Sequence, residues 1–169
     1  QLFWPNGFVI VSNGSQAKIG ATYASWEYFG DWKLINAAGD RGIVALETAI
    51  RGTCSKDYLL DIIENFVVYL ERPGGLIKGL ARNHQVLGVN ASIENLHRVR
   101  SVGDKRLGVF WHTQGSGKSL SMLWFTQKVL RRLPGKWTFV MVTDRTELDT
   151  QLHNEFARAG AITEADDVH

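Results

Sequence analysis

The residues best placed to do chemistry are Gly115-Ser116-Gly117-Lys118-Ser119, inside "GVFWHTQGSGKSLSM" (108–122). Paired glycines let the backbone curl until several N–H groups converge on one anion. A helix starting at about Lys118 would add its own unpaired N–H groups and the positive end of its dipole. Lys118 is then placed to reach the β- and γ-phosphates of a nucleotide, and Ser119 to offer a hydroxyl to Mg²⁺. Gln114 opens the loop on its N-terminal side. His112 stands where the usual phosphate loop has its first glycine. That position begins the turn and touches no transferring phosphate, so the reading of "GSGKS" stands, and His112 is given a structural role.

Two further segments bracket this loop. Gln85, in "RNHQ" (82–85), carries a donor and an acceptor that can match the edge of adenine, so it is a candidate for selecting ATP over GTP. The plainer reading of one Gln on a helix is a solvent-facing side chain. "VTDRTELDTQ" (142–151) follows an apolar run and should lie on the rim where open α/β sheets gather ligands. There Thr143, Asp144 and Arg145 are candidates for a nucleic-acid phosphate. A strand-to-helix turn capped by Asp144 or Thr146 is the alternative.

The elements that must position these groups follow from periodicity. Phe8 to Val11, Asn13-Gly14 and Lys18 to Thr22 predict a β-hairpin. Trp26, Phe29 and Trp32 recur at helical spacing and predict a core-packing patch, with a base-stacking surface as the alternative. "IVALETAIRG" predicts a short helix closed by Gly52. "SKDYLLDIIENFVVYL" predicts one long helix with Leu59, Ile62, Ile63, Phe66, Val67 and Leu70 on its apolar face. "ERPGG" (71–75) is the expected domain boundary, with a helix expected from about Ile77 to about Val99. "RLGVFWH" and "WTFVMVT" read as buried strands. Helices are expected over Ser119 to Leu133 and about Thr146 to Ala159. Alternating near-continuous apolar strands and helices predict a parallel sheet with helices on its faces.

Bulk composition excludes little. The chain has 169 residues, 44% of them hydrophobic, enough for a core, and a net charge of +2. That charge does not announce nucleic acid, although "HRVRSVGDKR" (97–106) is locally basic. Cys54 is the only cysteine, which rules out an intrachain disulfide framework and favours a reducing compartment. No apolar run approaches the roughly 20 residues needed to cross a bilayer, and no signal peptide is visible. A cytoplasmic protein without membrane contact is expected. The Gln at position 1 and the immediate strand pattern suggest a piece of a longer chain.

"RNHQ", "WHTQGSGKS" and "VTDRTELDTQ", in that order, resemble the first half of the motor of superfamily 2 helicases and translocases. Several helicase-like families relax the first loop glycine. With "QLFWPNGFVIVSNGSQAKIGATYASWEYFGDW" and "LLDIIENFVVYL", the chain is similar more narrowly to the restriction subunit of type I restriction-modification enzymes. The resemblance implies residues 1–73 as the tail of a PD-(D/E)xK-type nuclease domain and 74–169 as the start of a RecA-like motor lobe. It implies ATP and Mg²⁺ as cofactors, with Gln85, Gln114, Gly115, Ser116, Gly117, Lys118 and Ser119 at the nucleotide and Lys118 as the catalytic lysine. It implies double-stranded DNA and the methyltransferase and specificity subunits as partners. The nuclease signature is missing here: "EYFGDWK" spaces its acid and lysine wrongly. No acidic DEAD/DEAH-type motif follows Gln151, and "EADD" (164–167) reads as a solvated loop. Phosphoryl transfer also needs a Mg²⁺-holding acid and an arginine finger, so this stretch by itself is expected to hydrolyse no ATP and cut no DNA. The alternatives are another P-loop ATPase, or a protein- or DNA-docking module with a non-functional loop.

Overall fold

The computed structural model describes residues 5–103 and 105–161; the acidic stretch 164–167 lies outside them. The chain is mixed α/β, and its sheets are small and antiparallel. Strands β1 (Val9–Ser12) and β2 (Ala17–Gly20) pair as the expected hairpin, with Val9 opposite Gly20 and Ser12 opposite Ala17. Its turn is held by local polar bonds, since Asn13 Oδ1 accepts from the backbone N–H of Ser15 (3.1 Å) and Gln16 (2.8 Å).

The aromatic patch after β2 divides. Trp32 is buried, whereas Trp26 is 60% exposed, stacks on Phe29 at 5.2 Å and lies under the Lys18 ammonium. Only a single 3-10 turn (Trp26–Tyr28) forms, so the helical spacing does not carry all three rings inward. Helix α1 (Ala45–Thr53) runs past Gly52 instead of ending there. Gly52 has a packing role: a Cβ on it would lie 2.4 Å from Trp32 Nε1 and 3.3 Å from Ile35 Cα.

The expected long helix over 55–70 is two elements. Helix α2 (Lys56–Asn65) ends where Asn65 turns its amide onto Asp61 Oδ1 at 2.9 Å. Strand β3 (Val67–Arg72) then buries Val68 and Leu70 while Tyr69 and Glu71 face out. "FVVYL" satisfies both periods, and its β-branched, aromatic content favours the strand once a partner lies alongside. That partner is β4 (Gly75–Leu80), in place of the start of the expected third helix. Pro73 and Gly74 (φ 104°) make the tight connection. "ERPGG" is therefore a hairpin turn, and the segments on its two sides share one sheet. They also share one core, in which Ala17, Trp32, Ala49 and Phe66 join Val89, Leu123, Trp124 and Phe156.

Helix α3 (Asn83–Val102) follows β4 directly and ends at Gly103 in the left-handed region. Helices α4 (Lys118–Arg132) and α5 (Thr146–Arg158) lie within a residue of expectation. The parallel strands expected at "RLGVFWH" and "WTFVMVT" carry no strand pairing among the described residues. Their side chains still alternate as a strand's would. Phe110 lies against Gly88 of α3, and Phe139 and Met141 pack on the core. Val109, Trp111, Val140 and Val142 are 95%, 77%, 82% and 89% exposed. One face is partly covered, but neither segment has a hydrogen-bonded strand neighbour among the described residues, and without one no ladder forms.

A buried polar cluster ties α2 to α3 and α4. Lys128 of α4 donates to Asp61 of α2 and to Asn90 Oδ1 of α3 (2.6 Å), and Asn90 Nδ2 donates to Asp61 Oδ2 at 3.0 Å. Burial pushes the Lys128 ammonium below its ordinary pKa, and the hydrogen bond and charge of Asp61 oppose that shift. Arg132 and Glu64 add a half-exposed pair at 2.9 Å.

The contact between Gly52 and Trp32 gives a direct stability test. Gly52→Ala should lower stability by about 1–3 kcal/mol, the usual cost of overpacking, although alanine is the better helix former. Urea denaturation measures it; unchanged or increased stability would show that Trp32 does not pack as described.

Candidate functional site: a clamped phosphate loop

The loop 113–117 is a tight turn entering α4. Gly115 and Gly117 adopt φ of 76° and 79°, the left-handed region that glycine enters without strain. Ser116 closes the turn on Thr113, whose carbonyl accepts from Ser116 N (3.3 Å) and Ser116 Oγ (2.7 Å). The Lys118 ammonium reaches back across the loop to His112 O (3.1 Å) and Thr113 O (3.0 Å). Ser121 N is the first helical donor with an α-helical acceptor, Gly117 O at 3.1 Å. The N–H groups of Lys118, Ser119 and Leu120 are thus the helix's own unpaired donors.

The "RNHQ" segment holds this loop from behind. Gln85 is buried, and its Nε2 donates to Ser116 O (3.2 Å) and Gly117 O (3.0 Å). Its Oε1 accepts from Arg82 N at 2.8 Å. The partners fix the orientation of the amide, since carbonyls need the NH₂ and a backbone N–H needs the oxygen. Both Gln85 N–H groups therefore bond within the chain. A Cβ on Gly117 would come within 2.7 Å of Gln85 Nε2, so glycine is required there twice, for φ and for this contact.

The neighbours of Gln85 complete the clamp, and sequence reasoning missed them. His84 Nε2 lies 3.2 Å from Ser116 O and must carry the proton, because a carbonyl only accepts. Asn83 is buried and grips the N-terminal segment. Its Oδ1 accepts from Lys33 N (3.2 Å) and Leu34 N (3.0 Å), and its Nδ2 donates to Leu34 O (2.9 Å). The available signal was three consecutive polar side chains at a helix start that are not simple caps.

His112 packs edge-on against His84 (4.8 Å) and Phe110 (4.4 Å). Its Nδ1 is buried without a hydrogen-bond partner. It stands as packing beneath the loop, in keeping with its structural role.

Two openings flank the loop. A cavity of about 360 Å³ lies between Gly115–Gly117, β4 and the segment after β2; a wider cleft of about 590 Å³ runs past Asp31, Trp111 and Gln114. The structure brings Gln85, Gln114, Gly115, Ser116 and Gly117 to these openings, with Lys118 at the loop mouth. Thr143, Asp144 and Arg145 line neither of them. Asp144 and Arg145 are exposed and Thr143 is half-buried, with Thr143 Oγ1 at 3.5 Å from Arg145 O and the Asp144–Arg145 pair at 3.9 Å. Arg145 stands at the cap position of α5, and no side chain caps that helix.

His112 sets a pH dependence. Burial, then the nearby His84 and Lys118 charges, holds its pKa below the ordinary 6.5. The unfolded chain therefore binds a proton before the folded one, and stability falls as pH drops from about 6.5 through the folded value. His112→Asn should flatten this part of a stability-against-pH curve measured by urea denaturation. An unaltered slope would remove His112 as its source.

The sequence profile of SWI2/SNF2 ATPases matches residues 84–168, from the clamp through the loop to beyond α5. The chain is 37% identical to the HindI type I restriction enzyme endonuclease subunit of Haemophilus influenzae over 93% of its own length and 16% of that relative's. It is 26% identical to a Methanocaldococcus jannaschii protein named for the endonuclease subunit of a type I restriction enzyme, MjaIXP, over 93% of this chain and 17% of that one. The chain thus spans about a sixth of these curated relatives. With the profile covering half of its residues and these relatives along nearly all of it, the chain belongs to the SWI2/SNF2 ATPase family as found in type I restriction enzyme endonuclease subunits.

Proposed function

We propose that the chain is the ATP-binding part of the DNA-translocating motor of a type I restriction endonuclease subunit. The observation that carries this is the left-handed Gly115–Gly117 loop running straight into α4, with the Lys118 ammonium folded over it. The geometry suits a polyphosphate. The loop and first-turn N–H groups supply converging donors, and the space a Gly115 Cβ would enter is open. Lys118 would exchange its bonds to His112 O and Thr113 O for β- and γ-phosphate oxygens. Ser119, in the first turn of α4, would offer its hydroxyl to Mg²⁺. No group of three His, Cys, Asp or Glu side chains suited to a metal stands among the described residues. Ser119, phosphate oxygens and water would therefore make up the ion's shell in this part of the protein. Bound ATP would supply the free energy that the motor converts into movement along DNA.

The amide of Gln85 then acts on the loop, holding the Ser116 and Gly117 carbonyls back so that the neighbouring N–H groups face forward. On the same reading residues 1–73 come from the nuclease side of the subunit and residues 74–169 begin the motor lobe, joined through β3 and β4. Double-stranded DNA would pass the rim at Thr143–Arg145, where an exposed Arg145 suits a backbone phosphate. Methyltransferase and specificity subunits would complete the complex, in the cytoplasm.

The test is Mg·ATP binding by titration calorimetry. Lys118→Ala should weaken it at least about tenfold, the loss of one charge-assisted contact. Equal affinity in the variant would reject the loop as the phosphate site.

A further inference from the structure

We infer that the end of α4 far from the phosphate loop carries a separate, sequence-independent contact for duplex DNA, built on Arg98, Arg100, Lys105, Arg131 and Lys136. It stands apart from the nucleotide reading, since none of these residues lines the two openings beside the loop. Helix α4 has 15 residues and begins at the loop, so its last turn lies about 20 Å away. Charge is unevenly distributed along the chain. Residues 98–106 and 131–136 hold seven of its 19 basic residues and one of its 17 acidic ones, so the rest of the chain is net acidic. Packing brings the two stretches together. Ile93 and Leu96 of α3 join Val129 and Leu133 of α4, with Trp137, in one small apolar cluster. The Arg100 guanidinium lies over the Trp137 ring at 5.0 Å. Leu107 O accepts from Asn95 Nδ2, which holds the chain after α3 against that helix.

Basic side chains in the last turn of a helix ordinarily answer its dipole, which accounts for Arg100, Arg131 and Arg132. It does not account for Lys105 and Lys136, which stand beyond the helix ends. Carboxylates do not absorb the surplus either. Arg132 pairs with Glu64 at 2.9 Å, but Arg98 and Arg131 donate to neutral oxygens, Asn95 Oδ1 and Glu64 O, and Arg100 meets a ring. Arg98, Arg100, Lys105, Arg131 and Lys136 are all exposed. Such a surface suits a polyanion whose charges recur at close spacing, as the phosphates of a duplex do. Packed helices lie about 10 Å apart, so long side chains from both ends can reach the backbones on either side of a major groove about 12 Å wide. A single strand fits less well. It needs an open aromatic face on which bases stack, and the Trp137 ring lies under Arg100 and in the apolar cluster. Phosphate contacts alone carry no sequence information, which is why this contact reads none.

Fluorescence anisotropy of the full chain with a short labelled DNA duplex of mixed sequence, titrated at several salt concentrations, tests the assignment. Lys105→Gln combined with Lys136→Gln should weaken binding several-fold at low salt. It should also flatten the slope of log affinity against log salt by about 1–2, the share of two phosphate contacts. Arg41→Gln combined with Lys56→Gln removes the same charge from exposed positions elsewhere and should leave affinity and slope unchanged. Wild-type affinity and slope in the Lys105–Lys136 variant would overturn the inference. An equal loss in the Arg41–Lys56 variant would also overturn it, by reducing the effect to net charge. So would a single strand of the same sequence bound more tightly than the duplex, or no duplex binding by the unaltered chain at low salt.

Discussion

The site depends on one short run of side chains at the start of α3. Asn83 reaches the backbone of Lys33 and Leu34, while His84 and Gln85 reach the carbonyls of Ser116 and Gly117. Three consecutive residues thus fasten two segments that lie far from them in sequence. A helix start suits this task, because its first turn holds backbone direction firmly and the side chains there fan outward. β4 delivers the run: Ala81 N bonds Phe66 O at 3.0 Å, so the β3–β4 hairpin sets where α3 begins. The β3–β4 hairpin is thus part of what fixes the site.

The clamp also explains the arrangement of charge and burial. Gln85 and Asn83 are buried polar groups hydrogen-bonded to backbone groups of distant segments, and such bonds favour one geometry. The Lys128–Asp61–Asn90 cluster does the same further along α4, holding that helix against α2 and α3. The phosphate loop is therefore secured at both ends, by Gln85 at its turn and by the packing of the helix into which it runs. Lys118, Gln114 and Ser119 are left at or near the surface, where a ligand can meet them.

Much of this was legible in sequence, for identifiable reasons. Asn13-Gly14 marks a hairpin, and "GSGKS" marks a helix start. The run from Lys118 to Arg132 has a pattern that only a helix satisfies, and so has α5. The region 66–80 was not legible, because "FVVYL" fits a helix face and a strand face equally and only the presence of β4 decides between them. "RLGVFWH" and "WTFVMVT" keep strand-like alternation, but a ladder depends on neighbours that no local pattern supplies. The loop's glycines and lysine could be named from their types. The use of Gln85 could not: its partners Ser116 and Gly117 lie 31 and 32 residues away, and only the folded chain shows that both its N–H groups are taken. The choice among the aromatics after β2 was hidden for a similar reason, since Trp32 is selected for the core by its fit over Gly52.

The central claim is that this clamped loop is a phosphate cradle. Amide hydrogen exchange across residues 113–120, with and without saturating Mg·ATP, tests it most directly. Binding should slow exchange at Gly115, Gly117, Lys118 and Ser119, whose N–H groups would gain phosphate acceptors. Unchanged exchange in that stretch while ATP is demonstrably bound would place the nucleotide elsewhere and contradict the account.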